Sequence, residues 1–397
     1  MKILHVTPSY YPAFKYGGPI ESVHLLNKAL IKKGIQVDVL TTKAGLDGEQ
    51  NIGCNDWVDV SGVRVKYFPY CLGDNYNFSL NLFLSLLKGV KNYKLIHISY
   101  VWNFPVLAGG IAASLFEVPY LISPRGTLCK EAIEIKSKQI KKLYFSLISK
   151  HYVNSANGIH FTSEDEKRNV VDYLNIKSKS YIVPNGIDLS EYENLPDKNQ
   201  FKLKYPILSG KKYILFLGRI NKKKGLDILV DSFKLLSKES EDLFLVIVGP
   251  DNDGYKAELE NILNKAGLKN KVLFTGILLG KDKLAAYTGA EVFALSSYSE
   301  NFGMSVVEAM ACNVPVLISD KVGIYDDVEK YNAGIITSPI VDSLYLGLKK
   351  LLGNPGISKS NVVNARKLIK DKYDINKVAD EMISVYEDII RSTKTRI

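Results

Sequence analysis

The run Ser299-Glu-Asn-Phe-Gly-Met-Ser-Val-Val-Glu-Ala-Met-Ala-Cys-Asn-Val-Pro315 decides the fold. An apolar, strand-like run, Glu291-Val-Phe-Ala-Leu-Ser-Ser, comes before it, and Pro315-Val-Leu-Ile-Ser comes after it. Between them, Gly303 marks a turn and a short helix extends through Ala311. Strand, turn, helix and strand in that order make the repeating unit of a parallel sheet. Glu300 falls in the turn and Glu308 falls about two turns into the helix.

The turn has a chemistry of its own. It offers the backbone N–H groups of Phe302, Gly303, Met304 and Ser305 at a helix N-terminus, where the helix dipole favours an anion such as phosphate. Gly303 lets the backbone approach a ligand closely. Two carboxylates next to a phosphate would repel it unless they faced something else, and sugar hydroxyls are suitable donors to them. The competing reading is a buried crossover with a solvent-facing Glu308, so the rest of the chain must decide.

The same alternation extends in both directions. In the first half, strands are expected at Lys2–Thr7, Val37–Thr41, Val63–Tyr67, Leu95–Ser99, Tyr120–Ser123, Gly158–Thr162 and Tyr181–Pro184, with helices between them. A polar, Pro- and Gly-bearing run from Pro184 to Gln200 reads as a linker. Strands then resume at Tyr213–Leu217, Leu243–Val248, Val272–Thr275 and Val316–Ser319, and helices close the chain. Such alternation means parallel sheets covered by helices. At 397 residues, two domains are expected. The boundaries read as 1–188 and 189–375, with a last helix, 376–397, crossing back to the first domain. A ligand would bind at the carboxyl ends of the strands, in a cleft between the domains.

Composition narrows the function classes. The chain is 46% hydrophobic and 24% charged, as expected of an α/β protein. No apolar run reaches the roughly 18 residues of a membrane span. The start, Met1-Lys-Ile-Leu-His-Val-Thr-Pro, leads straight into a strand, and the four cysteines show no ligand spacing. A cytoplasmic location with reduced thiols is expected. The net charge is +10, and residues 1–190 hold 22 Lys/Arg against 15 Asp/Glu, or +7 of it. That bias suits a polyanion, an anionic lipid surface or a phosphorylated substrate.

Gly218-Arg219 follows the first strand of the second half, and Lys224-Gly225 leads into the next helix. An Arg and a Lys flanking such a turn can clamp a diphosphate, the Arg as a fork and the Lys as a mobile point charge. Gly17-Gly18 follows the first strand of the first half. Neither half has G-x-G-x-x-G after its first strand, and no G-x-x-x-x-G-K-[ST] loop exists.

Taken in order, Gly17-Gly18, Val183-Pro-Asn-Gly-Ile-Asp, Gly218-Arg219…Lys224-Gly225, Val248-Gly249-Pro250, Phe274-Thr-Gly276 and Glu300-x-Phe-Gly-x4-Glu308-Ala-Met-Ala resemble the retaining GT-B glycosyltransferases of family 4, the glycosyl transferases group 1. The resemblance spans nearly the whole chain. It implies two Rossmann-like domains, acceptor-binding first and nucleotide-sugar-binding second. It implies that Arg219 and Lys224 hold the donor diphosphate and stabilise it as it leaves. Glu300 would contact the donor sugar and Glu308 the ribose hydroxyls. Phe302, Gly303, Met304 and Ser305 would hold sugar or phosphate through their amides. Ile277 and Leu278 would meet the base, Gly249 would line the nucleotide pocket and Gly18 would lie near the diphosphate.

The implied donor is a nucleotide-diphosphate sugar, UDP or GDP, and the implied acceptor is a glycan or lipid-diphosphate-linked acceptor of surface polysaccharide synthesis. No cofactor and no metal are implied, and no nucleic acid. Many relatives carry His-Gly where this chain has Arg125-Gly126. Arg125 could bind donor or acceptor phosphate, but it cannot transfer a proton as a histidine would. A structural Arg capping the sheet is the other reading.

Three further features complete the expectations. Asp251-Asn-Asp253 imitates a metal motif but precedes a helix, where Asp caps. His5, His24, His97, His151 and His160 lack ligand spacing and read as core or surface. A lysine-rich helix from Glu131 to Tyr152, with Lys136, Lys138, Lys141, Lys142 and Lys150, fits peripheral contact with an anionic inner membrane. A nucleotide-sugar epimerase of the same layout and a nucleic-acid-binding protein remain the competing classes. A glycosidase is disfavoured, since eight residues of helix rise about 12 Å, beyond the roughly 5–9.5 Å between hydrolytic carboxylates.

Overall fold

A computed structural model of the chain describes residues 1–13, 17–46, 53–134 and 138–394. Contacts divide it into an N-terminal unit, Met1–Ile187 with the chain from Ile375 onward, and a C-terminal unit, Asp188–Asp374. Each unit is one sheet flanked by helices.

The N-terminal sheet comprises β1 (Lys2–Val6), β2 (Gln36–Thr42), β3 (Trp57–Val60), β4 (Val63–Phe68), β5 (Leu95–Ser99), β6 (Tyr120–Ser123), β7 (Gly158–Phe161) and β8 (Ser180–Ile182). Their order is β3-β4-β2-β1-β5-β6-β7-β8. All pairs are parallel except β3 with β4. The edge hairpin β3–β4 was not anticipated. Its turn is Ser61-Gly62, both with positive φ (52° and 87°). That is the backbone a two-residue hairpin needs, and Val-Asp-Val and Val-Arg-Val on either side carried the signal.

Helices cover both faces of this sheet. Leu82 and Leu86 of helix Leu80–Gly89, and Val106, Ala108 and Ala112 of helix Phe104–Leu115, pack with Leu4, Val6, Ile96 and Ile98. On the other face, Val378, Ala379, Met382 and Tyr386 of helix Ile375–Lys394 join Ile3, Val37, Val39, Val63 and Val65. That helix has a place because strands buried on both faces leave an apolar surface to cover. Its entry is tied down where the Ile375 amide donates to Ile187 O at 3.0 Å. A β-carbon at Gly186 would lie 2.8 Å from Ile375 Cα, so only glycine fits there.

The lysine-rich segment differs in detail from the helix expected over 131–152. Residues 135–137, Lys136 among them, lie outside the described residues, as do 14–16 of the loop before Gly17. The described parts are helical at Lys130–Glu134, Lys138–Tyr144 and Lys150–Ser155. Phe145–Ser149 adopts the wider π turn between the last two. Ile140, Leu143 and Leu147 point outward, 71%, 61% and 70% exposed. Among the described residues, no helix is long and apolar enough to cross a membrane.

The C-terminal sheet comprises β9 (Lys212–Leu217), β10 (Leu243–Val248), β11 (Val272–Gly276), β12 (Val292–Leu295), β13 (Val316–Ser319) and β14 (Ile335–Thr337). Its order is β11-β10-β9-β12-β13-β14, all parallel. β10 reads Leu-Phe-Leu-Val-Ile-Val and is buried along its whole length, as a central parallel strand must be. β14, only three residues long, escaped sequence reading, as did helix Gln200–Lys204 at the end of the presumed linker.

Candidate active site

Strand order reverses direction in the C-terminal unit between β9 and β12. In open α/β sheets that reversal leaves a crevice at the carboxyl ends, where ligands bind. Arg219 lies just past β9, and Ser296 to Glu300 lie just past β12. Two hydrogen bonds hold these turns together. The Tyr298 amide donates to Lys223 O at 2.9 Å, and Ser296 Oγ donates to Gly225 O at 2.7 Å. A β-carbon at Gly225 (φ 62°) would fall 2.1 Å from Ser296 O, so this glycine permits the approach. Asn221 Oδ1 accepts the Lys223 amide at 2.9 Å and shapes the turn that carries Lys224.

Lys224 and Glu300, expected to serve phosphate and sugar separately, form an ion pair. Burial alone would raise the Glu300 carboxyl. The Lys224 ammonium beside it, with Lys223 and Arg219 further off, outweighs burial and holds it below the usual carboxylate range. Glu300 is therefore an anion and a hydrogen-bond acceptor. Arg219 is exposed and makes no hydrogen bond or ion pair among the described residues. Its side chain leaves the end of the apolar strand for solvent.

Gly303 (φ 98°) precedes helix Met304–Ala311 and faces Val322, whose Cγ1 would lie 2.8 Å from an added β-carbon. The helix starts with Val306 N donating to Gly303 O. The amides of Met304 and Ser305 have no partner among the described residues, as expected of a first turn, and are available to an anion. Phe302 differs. Its ring is 4% exposed and meets Tyr373 edge-on, ring centroids 5.7 Å apart. Only its backbone can serve a ligand.

Glu308 lies on the same helix. Lys283 Nζ approaches its Oε1 at 3.0 Å, and the Tyr287 hydroxyl donates to its Oε2 at 2.9 Å. Neither Lys283 nor Tyr287 was singled out in the sequence, since a lysine early in helix Gly280–Thr288 reads as a solvated one. Just before that helix, Ile277 is 62% exposed while Leu278 is buried. The N–H and C=O of both lack backbone partners among the described residues, so this backbone is free to read a flat heterocycle's edge. Gly249 (φ 142°) is needed for packing. A β-carbon there would lie 1.9 Å from Gly218 O. The glycine lets the ends of β9 and β10 close together just behind Arg219.

Asp251 Oδ2 accepts the Lys256 amide at 3.3 Å, and Asp253 accepts from the Asn221 side chain. Both acids are thus engaged at the start of helix Tyr255–Lys265. Among the described residues, no cluster of three His, Cys, Asp or Glu is arranged to hold a metal.

The N-terminal unit holds Gly18 at the first turn of helix Gly18–Lys32. It also holds a buried polar network that sequence reading missed. His97 bonds the Tyr386 hydroxyl at 2.7 Å and Ser123 Oγ at 2.6 Å, and Ser123 meets His160 Nδ1 at 2.6 Å. His5 stacks on His97 (4.4 Å) and contacts Ser99 and Asn27. Burial, then the nearby Arg125 charge, lowers His5 and His160 to about 3, so both are neutral. His24 is buried against Tyr10 and Tyr11, and His151 is exposed. The histidines of β1, β5 and β7 were invisible as a set because strand order alone brings them together.

These features agree with comparison to known proteins. Residues 197–388 match the family of Glycosyl transferases group 1, and residues 16–191 match Glycosyltransferase Family 4. The chain is an α/β enzyme of the GT-B fold, a glycosyltransferase.

The chain is 27% identical over 397 residues to an uncharacterized glycosyltransferase of Methanocaldococcus jannaschii, covering 98% of each. It is 24% identical to O-antigen chain mannosyltransferase C of Escherichia coli, covering 99% of this chain and 100% of that protein. In fold it is similar to Anabaena HepE in complex with UDP, with a TM-score of 0.76 at 19% identity, covering 98% of this chain and 100% of that one.

Proposed function

We propose that this glycosyltransferase moves a sugar from a nucleotide-diphosphate donor, UDP- or GDP-linked, to a glycan or lipid-diphosphate-linked acceptor in surface polysaccharide synthesis, with retention at the anomeric carbon. One observation carries the reading. Arg219, Lys224 and the open amides of Met304 and Ser305 flank the strand-order reversal, beside the hydrogen-bonded acids Glu300 and Glu308.

In this reading the bond between the anomeric carbon and the diphosphate oxygen breaks, and negative charge builds on the diphosphate. Arg219 and Lys224 stabilise that charge in place, the most economical help available. The acceptor oxygen bonds to the same face of the carbon, and its proton passes to the departing phosphate oxygen. No side chain has to serve as a base. Glu300 keeps Lys224 aimed and takes sugar hydroxyls, Glu308 takes the ribose hydroxyls, and the backbone at Ile277 and Leu278 meets the base. Gly249 shapes the nucleotide pocket. The reaction needs no metal, so a chelator leaves turnover unchanged. The N-terminal unit receives the acceptor, and the last helix completes that unit.

The O-antigen relative supports the acceptor class, and the UDP bound to HepE supports the donor class. The exposed Ile140, Leu143 and Leu147 beside Lys138, Lys142 and Lys150 suit the inner face of an anionic membrane. Co-sedimentation with phosphatidylglycerol vesicles tests that contact. The central test is donor turnover by Arg219→Ala and Lys224→Ala, read as released nucleoside diphosphate from UDP- and GDP-sugars. Near-complete loss is expected, and near-wild-type turnover in both overturns the assignment.

A further inference from the structure

Arg125 follows β6, and its guanidinium reaches Ser99 at the end of β5, beside the other strand-order reversal, between β1 and β5 of the N-terminal sheet. Its backbone is left-handed (φ 51°), and so is that of the following Gly126 (φ 78°). A left-handed residue that bears a β-carbon costs about 1–2 kcal/mol and persists only where its surroundings dictate it. Here Glu166 accepts the Gly126 amide, and Thr127 N donates to Pro124 O at 3.1 Å. The turn is held so that a long cationic side chain enters the protein.

The side chain is 7% exposed. Nε donates to Ser99 Oγ at 3.2 Å, and Nη1 donates to Ser22 Oγ at 3.4 Å and Asn185 Oδ1 at 3.2 Å. Ser99 ends β5, Ser22 lies in helix Gly18–Lys32 after the glycine pair, and Asn185 follows β8. Three elements thus grip the guanidinium, and every acceptor is neutral. No carboxylate lies within ion-pair distance of it among the described residues. Glu166, the acid that bears on its charge, is spent on the Gly126 amide and on the amide and hydroxyl of Thr162, both at 2.8 Å. Nη2, with its two N–H groups, has no acceptor among the described residues. It is also not one of the buried polar atoms closed off from solvent without a partner.

A buried cation held only by neutral dipoles keeps much of its desolvation penalty. Three anchors and one open nitrogen make a receptor for an anion. We infer that the acceptor bears a phosphate or similar oxyanion, and that Arg125 Nη2 binds it. This rests on the glycosyltransferase reading above and adds to it the residue that reads the acceptor's charge. Arg125 is then a binding and specificity-determining residue, taking no part in proton transfer.

Inorganic pyrophosphate is the probe, titrated calorimetrically into the full chain. The Arg219→Ala/Lys224→Ala variant lacks the donor cations and is expected to keep one pyrophosphate site. Adding Arg125→Gln should weaken that site by about tenfold or more, the loss of about 1.4 kcal/mol. An unchanged residual site in the triple variant overturns the inference, even when the double variant binds less than wild type and the donor reading stands. If the double variant binds as wild type does and Arg125→Gln alone removes the site, the donor assignment fails and the inference holds. Should Arg125→Gln not fold, a tungstate soak of wild-type crystals decides. An anomalous peak within hydrogen-bond reach of Arg125 Nη2 is expected, and its absence at millimolar tungstate, or an adventitious ion elsewhere only, overturns the inference.

Discussion

Lys283 Nζ lies 3.0 Å from Glu308 Oε1, so the acid proposed to take ribose hydroxyls is already aimed by a lysine 25 positions earlier. Both side chains are largely shielded, 23% and 13% exposed. An acceptor held this way is preorganised, which lowers the ordering a ligand must pay for. Glu308→Gln keeps the shape and removes the charge, so nucleoside-diphosphate affinity measured by calorimetry should fall about tenfold. Lys283→Ala should weaken binding less, because Tyr287 still donates to Oε2 at 2.9 Å. Unaltered affinity in Glu308→Gln contradicts the role.

Gly249 makes a sharper prediction about stability. Alanine there would set its β-carbon 1.9 Å from Gly218 O at φ 142°, a backbone few side chains adopt. Strain of this kind costs about 1–3 kcal/mol, and the overlap with backbone adds to it. Gly249→Ala should lower the melting temperature by several degrees and disturb Arg219 next to the contact. Gly254→Ala is the control: φ is 73°, but nothing lies within 4 Å of its β-carbon, so the penalty is only the left-handed one. Equal melting temperatures for the two variants would contradict the contact.

Phe302 separates a core side chain from a ligand-binding one. With the ring buried on Tyr373, Phe302→Ala should destabilise the protein by about 3–5 kcal/mol. Phe302→Leu retains most of the volume and should bind donor as wild type does, because only the backbone at 302 faces a ligand. A large affinity loss in the leucine variant with an unchanged melting curve would assign the ring to the ligand instead.

The buried histidines predict a pH dependence. Burial and then the Arg125 charge hold His5 and His160 at about 3, against 6.5 when unfolded, and His97 is held well below 6.5 for the same first reason. Between pH 6.5 and 3 the unfolded chain therefore binds more protons than the folded one, and stability falls as pH falls. The slope is about 1.4 kcal/mol per pH unit for each histidine, or about 2 kcal/mol each by pH 5. Glu166 acts in the opposite sense, since burial raises its carboxyl despite its hydrogen bonds. Calorimetric unfolding between pH 7 and 5, above the range of ordinary carboxylates, should show the loss. His160→Gln should flatten the curve, and a flat wild-type curve contradicts the buried neutral histidines.

Much of the architecture was legible in the residues. Strands such as Leu243–Val248 and Val316–Ser319 are buried on both faces, so their apolar runs stand out between Gly-bearing turns. The glycines at 225, 249 and 303 could be placed at turns because each turn needs a backbone that approaches another closely. Short or edge elements were not legible. β14 spans three residues, and β3 alternates weakly beside a turn. Nor could residue type say which way a side chain faces: residue type gave a role to the Phe302 amide alone, and its ring proved to be core.

Local periodicity and turn chemistry thus told which segments form strands and helices, and the order of short motifs told the class of enzyme, because both depend on neighbours a few positions away. Pairings across the sheets lay outside that reach. Lys224 meets Glu300 over 76 positions, and Tyr386 meets His97 over 289. Arg125 gained three neutral partners only when β5, β8 and the first helix came together around it. Strand order and long-range packing set those contacts, and chain proximity carries no trace of them.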